Sequence, residues 1–432
     1  MNTLKKLKQA NGLTLLLGGL GVVNLLALAV VGFLVYGAVL TGTPGSDGTP
    51  ATPFFAGVAT AGDDIIRMLG GADVVDDTGG TNLIDLGPGD DLDPAGATVT
   101  TGGPGVDVIL AGSGNDGTAT DPISGDVGND FMRGGSGNDF LNGDFTGATA
   151  RGNDQVFGDE GNDVLIDDNS SAGDNDIYDG GVGVDVIIVS GAAGVDIYRG
   201  GPGNDLICAA PFVASPSIPV FPIPGLDCPS SAVANLADRM EGGPGNDTLI
   251  AGASGNFLFG QDGDDTLAGG AGADTLEGGP GRDVITSGGG ADTMRGGPGD
   301  DTLTGGAGAS LIFGDQGNDT LTGGAGAEIL NGGVGNDTIT SGGGADTIIG
   351  NSGNDTITGG AAASIIDPGP GDDTGTSVLG ACLVVGCVTG GAGDETFRIR
   401  PGDVPQVATE GYDCGTGTDT IVLIGFLALG VT

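Results

Sequence analysis

From Leu249 onward the chain places one aliphatic side chain every nine residues. Leu249, Leu258, Leu267, Leu276, Ile285, Met294, Leu303, Ile312, Leu321, Leu330, Ile339, Ile348, Ile357 and Ile366 each hold position eight of a nine-residue unit. Written from Gly242, the units run GGPGNDTLI, AGASGNFLF, GQDGDDTLA and onward to PGPGDDTGT, fifteen in all without insertion or deletion. Glycine recurs at positions one, two and four and lets six residues close a tight turn. The other three, such as Thr248, Leu249 and Ile250, suffice for a very short strand with one side chain facing inward. So short a fixed period predicts a solenoid, in which each unit buries its core against its neighbours. Collagen needs a period of three, and a disordered glycine-rich chain has no reason to keep an aliphatic ladder.

Position six is an acid or its nearest substitute, and odd and even units differ. One set reads Asp247, Asp265, Asp283, Asp301, Asp319, Asp337, Asp355 and Asp373; the other reads Asn256, Asp274, Asp292, Ser310, Glu328, Asp346 and Ser364. Position five is Asn, Asp or Arg in the first set and mostly Ala in the second. This eighteen-residue superperiod predicts a coil of two units with an acidic edge and a mixed edge. Tight turns present carbonyl oxygens beside each carboxylate, and Ca²⁺ takes six to eight such hard oxygens. In these residues the chain resembles the GGxGxDxUx nonapeptide of RTX, or haemolysin-type, calcium-binding repeats. The resemblance implies an all-β fold, a parallel β-roll solenoid with two nonapeptide strands per coil. It also implies calcium held between turns of adjacent coils by the Asp and by turn carbonyls, with roughly one ion per stacked turn on the acidic edge.

Upstream the same spacing persists in looser form. Asp64, Asp73, Asn82 and Asp91 are nine apart, and so are the partners in Asp107/Asp116, Asp130/Asp139, Asp154/Asp163, Asp176/Asp185 and Asp196/Asp205. Counting alternately back from Asp247 extends the acidic edge through Asp205, Asp185, Asp163, Asp139, Asp116, Asp91 and Asp73. Asp107, Asp130, Asp154, Asp176 and Asp196 then join Asp274, Asp292 and Asp346 as calcium candidates on the mixed edge, which receives every insertion. The largest insertion, between Asp205 and Asp238, is Pro-rich and apolar with Cys208 and Cys228 at its ends. That placement suggests a disulfide in an exported protein. Phe212, Val220, Phe221 and Ile223 make the 208–228 loop a candidate contact for a protein or glycan partner; the alternative is a tolerated insertion folded over one coil.

Residues 1–43 are a different material. Lys5, Lys6 and Lys8 precede an uncharged run from Gly12 to Leu40, long enough as a helix to span a bilayer. It reads as a signal-anchor tethering residues 12–40 in a membrane, or as a cleaved signal peptide, and either places the remainder outside the cell. Residues 44–58 form a Pro/Gly linker, 59–237 an RTX-like β-roll with insertions, 238–375 the regular roll, and 376–432 irregular repeats with an apolar cap.

Charge and composition narrow the function. Against 57 acids stand 12 bases, a net charge of −45, which repels nucleic acid and anionic membrane surfaces. The absence of His removes a zinc-protease HExxH site and a Ser–His–Asp triad. No GxSxG elbow occurs, and no Lys follows Lys8 to support a Ser–Lys dyad, Schiff base or P-loop. Only carboxylate chemistry remains, as in a secreted glycosidase or polysaccharide lyase, and the repeat already accounts for nearly all Asp pairs. For an ice- or mineral-lattice surface, the resemblance implies an ordered Thr–Asn row on the turns, as ice-binding relatives of this repeat carry. Position three of the acidic units instead reads Pro, Asp, Pro, Pro, Gln, Val, Ser from Pro244 to Ser352. The expectation is a non-enzymatic, calcium-stabilised extracellular module with a structural, adhesive or surface role.

Overall fold

The computed structural model describes residues 65–67, 75, 81–89, 91, 100–118, 122–130, 131–144, 152–167, 175–189, 194–209, 238–360 and 364–376, with the backbone of 14–16, 22–30, 33–41, 388–390, 396–399 and 420–423. They fall into two compact units, Met1–Arg239 and Met240–Thr432. Among the described residues there is no helix.

The second unit is a parallel β-solenoid with two sheets. One sheet stacks the acidic-edge strands, three residues each, such as Thr302–Thr304, Thr320–Thr322 and Thr338–Thr340. The other stacks longer strands, Thr293–Pro298, Leu311–Gln316, Ile329–Val334 and Thr347–Ser352. Between Thr248 and Thr376 the strands pair in parallel with those eighteen residues on: Leu303 with Leu321, then Ile339, then Ile357 on one side, and Met294 with Ile312, Leu330 and Ile348 on the other. Position eight points inward throughout, and these side chains are completely buried from Leu303 to Ile348. Burying each aliphatic side chain contributes about 1.5–3 kcal/mol, so the core is a thin column of small increments.

The six-residue strands are long because they continue into the acidic turn. Gly297, Asp315, Gly333 and Asn351 pair successively there, as do Pro298, Gln316, Val334 and Ser352. Backbone φ at this position is +115° at Gly297 and Gly333, which glycine accommodates freely, and +77° at Asp315. The Asp315 carboxylate offsets its strain by accepting two bonds from Arg295, from Nε and from the guanidinium terminus, both at 2.9 Å.

The first unit repeats the plan with longer coils. Ile84, Ile109, Met132, Val156, Tyr178 and Tyr198 stack in register in one sheet, and Leu141, Leu165, Ile187 and Ile207 in the other. The two tyrosines fill position eight, and Tyr198 donates to Oδ2 of Asp167 at 2.6 Å across the interior. The outward positions of the short-strand sheet differ between units. In the second unit, from Thr302 to Thr358, they are threonines that are exposed or half-buried; in the first, Val164, Ile166, Val186 and Ile188 are buried in an apolar cluster.

The helix expected for the N-terminal apolar run is not among the described elements. The described backbone of that run consists of strands Thr14–Leu16, Val22–Val30 and Phe33–Thr41, paired antiparallel. Gly18, Gly19 and Gly21 weaken helix there, and Val22, Val23 and Val30 favour extended backbone. No helix among the described residues is long and apolar enough to cross a membrane. The 44–58 linker, most of the 208–228 loop, Cys228, Cys382, Cys387, Cys414 and the terminal apolar segment lie outside the described residues.

Candidate metal centre

The nonapeptide turn directs the position-six side chain into the solenoid rather than toward water. Of the sequence-predicted ligands, Asp73 lies outside the described residues, and every other one is at most 7% exposed. They assemble into two ladders. On the acidic edge Asp91, Asp116, Asp139, Asp163, Asp185 and Asp205 are linked in order in the first unit, and Asp247, Asp265, Asp283, Asp301, Asp319, Asp337, Asp355 and Asp373 in the second. Each link is the same: the backbone N–H of one Asp donates to Oδ1 of the Asp one coil on, for example Asp301 to Asp319 at 2.8 Å.

The mixed edge forms a second ladder by the same bond. Asn82, Asp107, Asp130, Asp154, Asp176, Asp196 and Asp238 follow one another in the first unit. The spacing along both ladders of this unit varies together, 25, 23, 24, 22 and then 20 residues, so the insertions lengthen a coil without breaking either register. Asp238 and Glu328 are ladder members that were not among the sequence candidates. Position six marked Glu328, but a motif written with Asp passed over it, and Asp238 served to count the alternation between Asp205 and Asp247 without being assigned as a ligand.

Geometry leaves the second carboxylate oxygen exceptional. Oδ2 of Asp130, Asp139, Asp163, Asp185, Asp265, Asp283, Asp301, Asp319, Asp337, Asp355 and Asp373 is buried and has no hydrogen-bond partner. Glycine at position one gives this oxygen its room, since a Cβ at Gly314 would collide with Oδ2 of Asp319. A row of buried carboxylates without counter-charges is costly. Burial accordingly pushes their titration up: Asp319 and Asp283 to about 7, Asp301 and Asp337 to about 6, Asp163 to about 8 and Asp130 to about 9. Neighbouring carboxylates raise them further, while the backbone N–H bond to Oδ1 works in the opposite direction.

The donors fit calcium. They are carboxylates and turn carbonyls only, hard oxygens that stack at the spacing of the coils, with no imidazole or thiolate among them. The orphaned Oδ2 atoms are the oxygens such an ion would satisfy. Outside them runs a third ladder, which sequence reasoning noted only as a difference in composition. The exposed Asn or Asp at position five accepts the next coil's N–H, as in Asp264 to Asn246 at 2.9 Å and Asn336 to Asn318 at 2.9 Å. Arg282 takes this place in one coil and donates to Oδ2 of Asp264 at 2.8 Å.

Comparison with known proteins agrees with this geometry. A search of curated proteins returned no match. The family model for the RTX calcium-binding nonapeptide repeat matches residues 101–116, 117–145, 149–166, 188–207, 241–276, 268–303, 304–339 and 340–374, just over half of the chain. Those segments carry the buried carboxylate ladders, and the solenoid around them is a parallel β-roll. With its turns, its ladders and its sequence in agreement, the chain belongs to the RTX calcium-binding repeat family and is a calcium-binding repeat module.

Proposed function

We propose that the chain is an exported structural or adhesive module of the cell surface, folded and stiffened by its calcium ions. The observation that carries this reading is the unbroken acidic ladder, with one partnerless buried Oδ2 at each rung from Asp265 to Asp373 apart from the link made through Oδ1. A body bearing nine Arg against 57 acids needs roughly twenty divalent ions for neutrality, comparable to one per rung of the acidic ladder with others on the mixed edge. The apolar segment 12–40 then serves as export signal or tether, and the 208–228 loop as a contact for a protein or glycan. Catalysis is not part of this reading, because the carboxylates are committed to the ladders. Circular dichroism of the full chain tests it: a disordered spectrum in excess chelator and a β spectrum in millimolar Ca²⁺ are expected, and a folded protein in chelator overturns it.

One observation favours lattice binding as a second reading, on the strands rather than the turns. Thr302, Thr320, Thr338 and Thr356 form one in-register column and Thr304, Thr322, Thr340 and Thr358 another. Parallel strands set such columns at a repeat of about 4.8 Å. An ice-recrystallisation assay with Thr338→Tyr as control decides it; equal behaviour of the variant and the parent removes the reading.

A further inference from the structure

The two outer faces of the second unit differ in chemistry. Over the coils whose short strands present threonine, the outward positions of the long strands are mostly apolar. Leu311, Ile329, Thr347 and Ile365 stack in register in one column, and Phe313, Asn331, Ile349 and Asp367 in the column beside it. Thr293 and Arg295 begin the two columns one coil earlier. Leu311 and Ile329 are each 39% exposed and Ile365 54%, with Phe313 and Ile349 half-buried beside them. A contiguous apolar patch with a polar border marks an interaction surface. The carboxylate ladders make no use of this face, because their side chains are buried inside the coil.

The border charges identify what the face fits. Along the second column the residues are Arg295, Phe313, Asn331, Ile349 and Asp367, a cation and an anion two coils to either side of a central Asn. Reversed, the same column sets Asp367 opposite Arg295, Ile349 opposite Phe313 and Asn331 opposite itself. A two-fold axis along strand Ile329–Val334 performs that reversal for two copies laid face to face. It inverts the order of the coils and keeps each column opposite its own counterpart, which is the self-complementarity an isologous contact needs. In the first column it sets Ile329 against Ile329, Leu311 against Thr347 and Ile365 against Thr293.

Arg295 is already held in position for such a contact. Its Nε and one terminal nitrogen donate to Asp315, its guanidinium lies over the ring of Phe313 at 5.5 Å from the centroid, and its side chain stays 53% exposed. A guanidinium has more N–H donors than Asp315 uses, so donors remain for the second copy's Asp367.

We propose that this face joins two copies of the chain in an antiparallel two-fold dimer, with Ile329 and Asn331 on the axis, apolar contacts around them and an Arg295–Asp367 ion pair at each end. The threonine faces of both copies then remain in solvent. The contact covers roughly 20 Å by 10 Å, five strands about 4.8 Å apart. That is small beside the roughly 800 Å² per partner of a standard interface, so the dimer is weak and concentration-dependent. Repulsion between two chains of net charge −45 also opposes it, and salt screens that repulsion.

Sedimentation velocity of the full chain over a concentration series, at saturating Ca²⁺ and physiological salt, tests the proposal. The parent is expected to show a monomer–dimer equilibrium. Ile329→Lys sets two like charges against each other on the axis and is expected to leave only monomer. Asp367→Lys and Arg295→Glu each bring like charges together at both ends, and each is expected to weaken the dimer about tenfold or more. An equal mixture of these two variants is expected to recover the dimer, because every introduced charge then faces its opposite. A parent that stays monomeric throughout the series overturns the proposal, as does a dimer unaffected by Ile329→Lys or by Asp367→Lys, or a mixture that fails to pair. Circular dichroism checks the fold of each variant; if Arg295→Glu fails to fold after losing Asp315, the other two variants decide by the same criteria.

Discussion

Replacing Asp319 separates the two tasks of a ladder carboxylate, and the sign of the effect depends on calcium. Oδ1 accepts the N–H of Asp301 at 2.8 Å, while Oδ2 is buried without a partner; the N–H of Asp319 in turn donates to Asp337. Asp319→Asn keeps an acceptor for Asp301 and removes only the charge. Asp319→Ala removes both. With calcium bound, losing one carboxylate from between two coils costs about 3–5 kcal/mol, the range for breaking a buried ionic pair. Alanine adds about 1–3 kcal/mol for the buried N–H of Asp301 left without an acceptor. In chelator the charge has nothing to pair with, so Asp319→Asn is expected to be at least as stable as the parent, and Asp319→Ala to lose only the hydrogen-bond part.

Urea or thermal unfolding at fixed free Ca²⁺ and in chelator, at one pH near 7.5, measures all four values. Where chelator leaves the parent unfolded, an osmolyte common to all samples restores a measurable transition. The reasoning is refuted if Asp319→Asn matches the parent in calcium, since the charge would then hold no ion. It is equally refuted if Asn and Ala lose the same amount in both conditions. Ser310→Ala is the comparison on the other edge: it removes a 3.3 Å acceptor from Asp292 and no charge, so about 1 kcal/mol is expected, independent of calcium.

Three further outcomes follow from the same structure. Metal-free protein is expected to gain order on acidification: burial raises the folded carboxyls from 3.8 to about 6–7, so their contribution is complete below about pH 4 and lost as pH rises through 6–7, and circular dichroism of stripped protein showing no gain between pH 7.5 and 4.5 counts against it. Cys208, buried at the end of strand Leu206–Ala209, is expected to pair with Cys228, and peptide mapping without reduction checks this; a Cys208–Cys414 peptide contradicts it. Fractionation and N-terminal sequencing are expected to find residues 12–40 retained with the membrane, and a product in the medium beginning near residue 40 identifies a cleaved signal instead.

Most of the architecture was legible because every unit repeats one local instruction. Position eight gave the core column, position six the ladders, and the eighteen-residue superperiod the two sheets, since glycine turns and single inward aliphatics leave little choice of register. What remained hidden depended on contacts between coils. Nothing in a nonapeptide says that Oδ1 is tied to a backbone N–H while Oδ2 is free for an ion, or that the position-five Asn forms an exposed ladder of its own. Tyr178 and Tyr198 broke the aliphatic rule at position eight, and only the interior shows why they fit: Tyr198 finds Asp167 across the coil.

The tolerance of one edge for insertions has a physical cause in the strands. In the first unit, strands Val108–Ser113, Phe131–Ser136, Gln155–Glu160 and Ile177–Val182 extend from the mixed column through the start of the acidic turn. Gly112, Gly135, Asp159 and Gly181 therefore pair coil to coil inside that turn. An extra residue there would displace a ladder hydrogen bond in two neighbours as well as the carboxylate that follows. The short strands, by contrast, end before the mixed turn, as Phe140–Asn142 and Val164–Asp167 do, so no strand runs on into it. The coil must still return to register, and Asp154 meets Asp176 as closely as Asp163 meets Asp185, at 2.7 and 2.8 Å. Insertions thus fall on the turn whose coil-to-coil bonds, such as Gly105 N–H to the carbonyl of Val127 at 2.7 Å, are isolated bridges rather than the continuation of a strand, and the carboxylate columns on both edges survive them. A one-residue insertion in the acidic turn between Gly333 and Asp337 should consequently destabilise the calcium-loaded fold far more than the same insertion between Gly342 and Asp346. Melting of the two variants at equal free Ca²⁺ measures the difference, and equal melting temperatures would show that the paired turn does not constrain the coil.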